Sequence, residues 1–212
     1  MLKKIMLLLS IALLLVACSE ETSEKQQLTD ALAAINEKES QSLSVVKKLN
    51  QQEEKEQKIF TQTMELTQEQ YPEVKKQVAS LKKSSGNRME MIEKEETALS
   101  EAKDETNEVD ELMKVLKPKD KKTVDKMLGT LEERYILHEK FIMDYKKLID
   151  AQTQLYTQLE DREVRASQLQ RKVKEINGLA VAIQQSIDEF NESTAEVNRL
   201  GARVLESLEE AK

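Results

Sequence analysis

The 212-residue chain contains 4 Gly, 2 Pro, 1 Cys, 1 His and no Trp, and aromatic residues make up 3% of it. Each shortage excludes something. Average chains carry about 7% Gly and 5% Pro, so a chain this poor in turn formers cannot supply the many reversals of an all-β or doubly wound fold. One cysteine excludes an intrachain disulfide, and one Cys with one His is too small a ligand set for a zinc site. The single His leaves any serine nucleophile one candidate base in the whole chain. Gly86, Gly129, Gly178 and Gly201 are isolated from one another, so no phosphate-cradling loop is present. The scarcity of aromatics argues against a sugar-stacking surface.

Carboxylates are plentiful but arranged without chemistry. Glu95-Glu96 and Glu132-Glu133 are adjacent pairs of a kind that 40 acidic residues produce by chance. Glycoside cleavage requires two carboxyls at a defined separation across a groove, one of them raised in pKa by burial. A helix-bundle di-iron site requires a Glu three residues before His138, and that position is Tyr135. The expectation is a protein that is not an enzyme, with no metal site and no cofactor beyond a covalent diacylglycerol lipid.

What is present begins at the N-terminus. Met1-Leu2-Lys3-Lys4 is a short basic stretch, and Ile5 to Val16 is an apolar run broken only by Ser10. At about a dozen residues the run is too short to span a bilayer, which takes roughly 20. It ends in Leu15-Val16-Ala17-Cys18, a lipobox. The reading is a cleaved lipoprotein signal over residues 1–17, lipidation of Cys18, a tether over 18–22 and a helical domain over 23–212. Two or three acyl chains anchor stably where one does not. The protein is therefore expected on the extracellular face of the cell membrane. Removing residues 1–17 leaves 31 basic and 40 acidic side chains, a net charge of −9. A chain so acidic has no overall attraction for nucleic acid, so contact with any polyanion must be local.

Three helical stretches follow. Ser23-Glu24-Lys25-Gln26 has the form of a capping box and starts the first. Its seam runs through Leu28, Leu32, Ile35, Val46, Leu49 and Phe60, with polar residues at the remaining positions (Glu39, Ser42, Glu53, Glu56), so it is weak in the middle. Tyr71-Pro72 ends it, since proline removes a donor and pushes the preceding residue out of the helical region. The second stretch runs in shifted phase from Val74 through Val78, Leu81, Ile92 and Leu99 to Leu116. Lys117-Pro118-Lys119-Asp120 closes it.

The third stretch is an unbroken heptad pattern from Val124 and Met127 to Leu208 and Ala211. Of its 26 seam positions 20 are apolar, twice what the composition would place there, which requires a partner surface along its whole length. Seam positions Arg134, His138, Gln152 and Arg162 read as polar core layers. Either the stretch turns back on itself or half of it dimerises. Asn177-Gly178 is the best site for a turn because the pair tolerates positive φ. A less marked reversal near Asp161 to Arg165 would give four helices of equal length. The expected fold is all-α, an elongated antiparallel bundle of long helices. A four-helix up-and-down arrangement is favoured, with three helices and a dimeric coiled-coil extension as the alternative.

Taken together, the lipobox at Leu15-Val16-Ala17-Cys18, the helical chain directly after it, and the block from Asn107-Glu108-Val109-Asp110 through Lys117-Pro118 to Tyr145 and Leu155-Tyr156 resemble the YkyA-type cell-wall-binding lipoproteins of Gram-positive bacteria. The resemblance implies a helical bundle on the outer face of the membrane whose partner is wall material, peptidoglycan or teichoic acid, and it supplies no catalytic or ligand motif. One charge feature stands apart from the acidic background. Lys114, Lys117, Lys119, Lys121, Lys122 and Lys126 surround the second break with only Asp120 and Asp125 among them, a local net of +4. The chain returns to its anchored end there, so these lysines are expected to contact anionic headgroups or membrane-proximal lipoteichoic acid. Tyr71, Lys75 and Lys76 form a weaker contact at the far end, with Lys82, Lys83 and Arg88 further along the helix. The rival reading is an interaction scaffold or regulator that pairs with itself or with membrane and wall-synthesis complexes.

Overall fold

The computed structural model describes residues 23–114 and 118–209. It contains four long helices, α1 (Ser23–Met64), α2 (Tyr71–Leu112), α3 (Pro118–Leu159) and α4 (Ala166–Glu209), with one 3-10 turn at Gln68–Gln70 and no strand among the described residues. The helices have 42, 42, 42 and 44 residues, about 63–66 Å each at 1.5 Å per residue. Of the two expected arrangements the chain adopts the four-helix one. None of the described helices is long and apolar enough to cross a membrane.

The described residues divide into two compact units. One takes 45–94 and 140–187, the other 23–44, 95–139 and 188–209. In the first unit Thr63 meets Gln77, Glu56 meets Arg88, and Gln154 meets Lys172, so consecutive helices run in opposite directions. In the second, Lys38 reaches Glu101, Glu95 reaches His138, and Thr130 faces Ser193, again an alternation of direction. The core of each unit is a seam between helices. Val78, Leu81 and Tyr156 form an apolar cluster in the first unit, with Ile59, Phe60, Val74 and Leu159 packed against it. Leu32, Met127, Leu131, Val197 and Gly201 enclose a small apolar cavity in the second.

The reversal between α3 and α4 lies at residues 160–165 and not at Asn177-Gly178, which is continuous helix inside α4. Local hydrogen bonds set the turn. Asp161 Oδ1 accepts the Glu163 N–H at 3.0 Å, and the Arg165 N–H donates to Gln168 Oε1 at 3.1 Å, which caps α4. The six-residue link and its flanking ends occupy two heptads between Leu155 and Leu169, so the pattern keeps phase straight through the turn. Around it the seam is not buried: Arg162, Ala166 and Val173 are exposed.

Both prolines begin helices. Pro72 is the second residue of α2 and Pro118 the first of α3, where a missing N–H costs no intrahelical bond. Tyr71, expected outside the helical region, has φ −52° and ψ −36°. Two bonds hold it there: its N–H donates to Gln68 O, and its hydroxyl donates to the Glu160 carbonyl across the unit. α1 instead ends at Met64, where the Glu65 and Leu66 N–H groups close tight turns onto Gln62 and Thr63. The side chains of Ser23, Ser42 and Leu208, and the seam residues Leu116 and Ala211, lie outside the described set.

Gly86, Gly129 and Gly178 sit within α2, α3 and α4, none at positive φ, and a Cβ at any of them meets nothing within 4 Å. Alanine at each is expected to stabilise the fold by about 0.5–1 kcal/mol through helix propensity. Urea unfolding of Gly178→Ala decides between the two turn positions, because a turn at 177–178 would make that substitution destabilising.

Candidate functional site

The weak seam of α1 is filled by arginines from other helices. In the first unit Glu56 lies on the inner face of α1, and Arg88 of α2 binds it in a fork, Nε to Oε2 at 3.0 Å and Nη2 to Oε1 at 2.7 Å. Both are buried, Arg88 to 1% exposure, so its place among the outward cations of α2 is corrected. The remaining donors of the guanidinium are also used. Nη1 donates to the Tyr145 hydroxyl at 3.2 Å and lies 3.6 Å from Glu53 Oε1, and Nη2 donates to Gln152 Oε1. Glu56 further accepts from Tyr156 at 2.7 Å and Ser84 at 2.6 Å, while the Tyr145 hydroxyl donates to Glu53. A buried ion pair survives only when its spare lone pairs and protons are satisfied in this way.

The second unit repeats the device with other helices. Arg134 of α3 grips Glu39 of α1, Nη1 to Oε1 at 2.6 Å and Nη2 to Oε2 at 2.8 Å. Its Nε donates to Thr194 Oγ1 at 3.0 Å, and its plane lies over Phe190 with 4.9 Å to the ring centroid. Tyr135 donates to Glu39 at 2.9 Å. One turn on, buried His138 donates from Nε2 to Glu95 Oε1 at 3.1 Å, since a carboxylate can only accept. Arg134, His138 and Gln152 are thus buried polar layers as their heptad positions predicted. Arg162 is not, being exposed on the turn.

Electrostatics separate the members of the first cluster. Burial pushes the Tyr156 hydroxyl well above its ordinary value, with Glu56 adding to it, and does the same to Tyr145 with Glu53 adding, so both remain donors. One guanidinium faces two carboxylates there. Burial raises the pKa of Glu53, opposed by Arg88 and the Tyr145 hydrogen bond and reinforced by Glu56.

The charged connections are different in kind. Lys114, Lys121, Lys122 and Lys126 are exposed; Lys114 pairs with Glu111, and Lys126 lies 3.6 Å from Glu196. Lys117 and the side chain of Lys119 lie outside the described residues, as do Leu15, Val16, Ala17 and Cys18. The second unit places the start of α3 level with the start of α1. Leu32 and Met127 line one cavity on helices of the same direction. Ser23 and Pro118 each precede those residues by nine positions, about 13.5 Å. In the first unit Tyr71 is half-buried, with Lys75 Nζ 5.2 Å and Arg162 Cζ 5.6 Å from its ring centroid. Lys76 lies 3.6 Å from Glu73, and Lys82 donates to Glu160 at 2.6 Å. The hydroxyl of Tyr71 serves the Glu160 carbonyl and cations attend its ring, so it ties two turns together and is no open stacking platform. Sequence reading missed Arg88, Glu39 and Glu56 as partners; the signal was four acidic or polar residues at seam positions of α1, which demand buried cations opposite.

Arg134→Met is expected to cost about 3–5 kcal/mol, because it leaves Glu39 buried and unpaired, and the double variant Arg134→Met/Glu39→Leu is expected to be less destabilised than the single one. Urea unfolding of the four-member cycle checks this. Glu53→Gln is expected to stabilise at pH 7. A carboxyl whose pKa is raised on folding binds more protons in the native state, so its penalty is largest at neutral pH and fades as pH falls through its folded pKa. Unfolding midpoints at pH 7 and pH 5 should show the gain shrinking on acidification.

Residues 23–207 match the family model YkyA, described as “Putative cell-wall binding lipoprotein”. The chain is 27% identical over 145 residues to the protein named “Uncharacterized lipoprotein YkyA” of Bacillus subtilis (strain 168), a match spanning 66% of this chain and 64% of that protein's length. Its fold is also that of a crystal structure titled as a conserved protein of unknown function from Staphylococcus aureus. The TM-score is 0.72 at 20% identity, covering 90% of this chain and 97% of that one. The family match takes in all four helices, and the chain belongs to the YkyA family.

Proposed function

We propose that the protein is a non-catalytic lipoprotein, anchored through acylated Cys18 on the extracellular face of the cell membrane, that binds anionic surface material through charge at its helix connections. The observation that carries this reading is the level placement of the Lys114–Lys126 link with the start of α1 in the second unit. Ser23 follows Cys18 by five positions, and five extended residues reach about 17 Å, so lysines level with Ser23 stand close to the headgroups. Each lysine near an anionic surface contributes about 1 kcal/mol, and the attraction decays over a Debye length of about 8 Å. The link acts as a second foot beside the lipid. Wall binding, which the family description names, then rests on charge: Lys75 and Arg162 attend a tyrosine whose hydroxyl is already committed, with Lys76 next to Lys75 in the chain, which favours phosphate-bearing teichoic acids over bare glycan.

Co-sedimentation of the form beginning after Cys18 with anionic vesicles tests the foot. Reversing Lys117, Lys119, Lys121 and Lys122 to glutamate is expected to weaken binding at least about tenfold at 0.15 M salt, and unchanged binding refutes it. Retention on purified wall sacculi with and without teichoic acid tests the wall contact. The protein should be held only where teichoic acid remains, and no retention on either would end the wall reading.

A further inference from the structure

The two units differ sharply in charge. Residues 45–94 and 140–187 carry 18 basic and 14 acidic side chains, a net of +4, whereas residues 23–44, 95–139 and 188–209 carry 12 basic and 23 acidic ones, a net of −11. The first unit is thus cationic within an acidic chain. Some of its cations are neutralised locally: Arg88 by Glu56 inside, Lys82 by Glu160, and Lys140 and Lys147 by Asp144 at the surface. Lys55 and Lys58 of α1 and Lys83 of α2 are exposed and form no ion pair among the described residues.

These three belong to one strip. Within the unit, Gln52 donates to Ser84 at 3.0 Å and Thr63 donates to Gln77 at 2.7 Å, which marks the seam between the antiparallel α1 and α2. Lys55 and Lys58 follow Gln52 by three and six positions, which turns them about 60° and about 120° from the seam toward solvent. Lys76 and Lys83 each stand one position before a seam residue and edge the seam from α2. With either hydrogen bond as reference, Lys55 and Lys83 lie within about 3 Å of one level, and Lys76 lies about 10 Å further along. Exposed Ser80 stands between the two α2 lysines. No acid interrupts the strip. Glu73 and Glu90 stand at its ends, three positions before Lys76 and seven after Lys83, and Glu54 lies on the opposite side of α1 from Gln52. Lys76 is 3.6 Å from Glu73 and keeps 78% of its side chain exposed.

We propose that this strip binds a linear polymer of polyol phosphate diesters, laid lengthwise in the shallow groove between α1 and α2 of the first unit. Lysines on both edges of the groove meet successive phosphates as point charges, and the hydroxyl of Ser80 is placed to bond the polyol. The cations are spread along the helices instead of converging on one point, which matches a charge repeated along a chain. A groove of this kind follows a line, whereas lipid headgroups present a plane. The strip holds no aromatic residue, so the bases of a nucleic acid would find no stacking partner on it. The inference rests on the wall contact proposed above and places its binding surface on the body of the unit in addition to the turn at Tyr71.

Calorimetric titration of the full-length chain in uncharged detergent with lipid-free poly(glycerol phosphate), at about 0.05 M and about 0.2 M salt, tests the strip. Lys55→Gln/Lys58→Gln/Lys83→Gln is expected to bind at least about tenfold more weakly at the lower salt, and to reduce the slope of log affinity against log salt by about 3. Removing the same charge from α3 and α4 with Lys140→Gln/Lys147→Gln/Lys174→Gln should leave affinity within about twofold, because screening confines the attraction to nearby cations. Glycerophosphoglycerol, a single diester, should bind at least about 100-fold more weakly than the polymer, since it releases the counterions of one phosphate only. Binding that the α1/α2 variant leaves unchanged, or that both triple variants weaken alike, overturns the strip and spares the wall reading. Equal affinity for the single diester also overturns it, by showing an isolated phosphate site. Failure of the unaltered chain to bind the polymer overturns both the strip and the teichoic acid reading. All the substituted lysines are exposed, and circular dichroism matching the unaltered chain confirms that each variant keeps its helices.

Discussion

Everything in this bundle rests on the way the acidic residues within the seam of α1 are answered. A helix that offers Glu39 and Glu56 to an interior would not pack against apolar partners, because an unpaired buried carboxylate costs several kcal/mol. Arg134 and Arg88 arrive from two different helices, α3 and α2, one in each unit, and each binds its carboxylate through two parallel hydrogen bonds. Such pairs contribute little more to net stability than well-packed leucines would. Their effect is on alignment. Sliding α1 by one heptad against its neighbours would leave both carboxylates and both guanidiniums buried without partners, whereas a seam of leucines would tolerate the slip.

The same economy of means extends to the turns. With no disulfide to close them, the α1–α2 and α3–α4 connections are held to one another by the Tyr71 hydroxyl on the Glu160 carbonyl and by the Lys82–Glu160 ion pair. What remains exposed is mostly charge, distributed unevenly over a chain that is acidic overall. Lysines gather at the α2–α3 connection, and acids and bases separate along α3. Charge at the connections and helix faces is what this surface offers for recognition.

Helix number and direction were legible in the sequence because the shortage of turn formers and the heptad phase are properties of backbone geometry. The position of the last reversal was legible only as the less marked of two, near Asp161 to Arg165, behind Asn177-Gly178. Glycine next to asparagine is a signal of permission only, and in α4 the permission is unused; the true turn is built from Asp161 and Gln168, whose hydrogen bonds leave little trace in composition. Proline was located correctly and oriented wrongly, since Tyr71 keeps helical angles before Pro72 when its hydroxyl and N–H are both held. Arg134 could be placed inside from its heptad position alone. Arg88 could not, because α2 changes phase and its seam is interrupted by Ser85 and Glu95. The lysine-rich stretch shows the limit of such reading: its charge is plain in the sequence, but only the cavity shared by Leu32 and Met127 sets the start of α3 level with the start of α1.

The in-phase link between α3 and α4 has one more consequence. Because the connection and its ends fill whole heptads, the inner faces of α3 and α4 would still align if the chain were never to turn. Excision of the seven residues 160–166 would keep that register while removing the Asp161 bond that bends the chain. The result would be one uninterrupted helix with a continuous seam, unable to fold back and obliged to lend its last segment to a second molecule. Shortening the turn by a whole heptad would therefore favour a domain-swapped pair over a self-contained bundle.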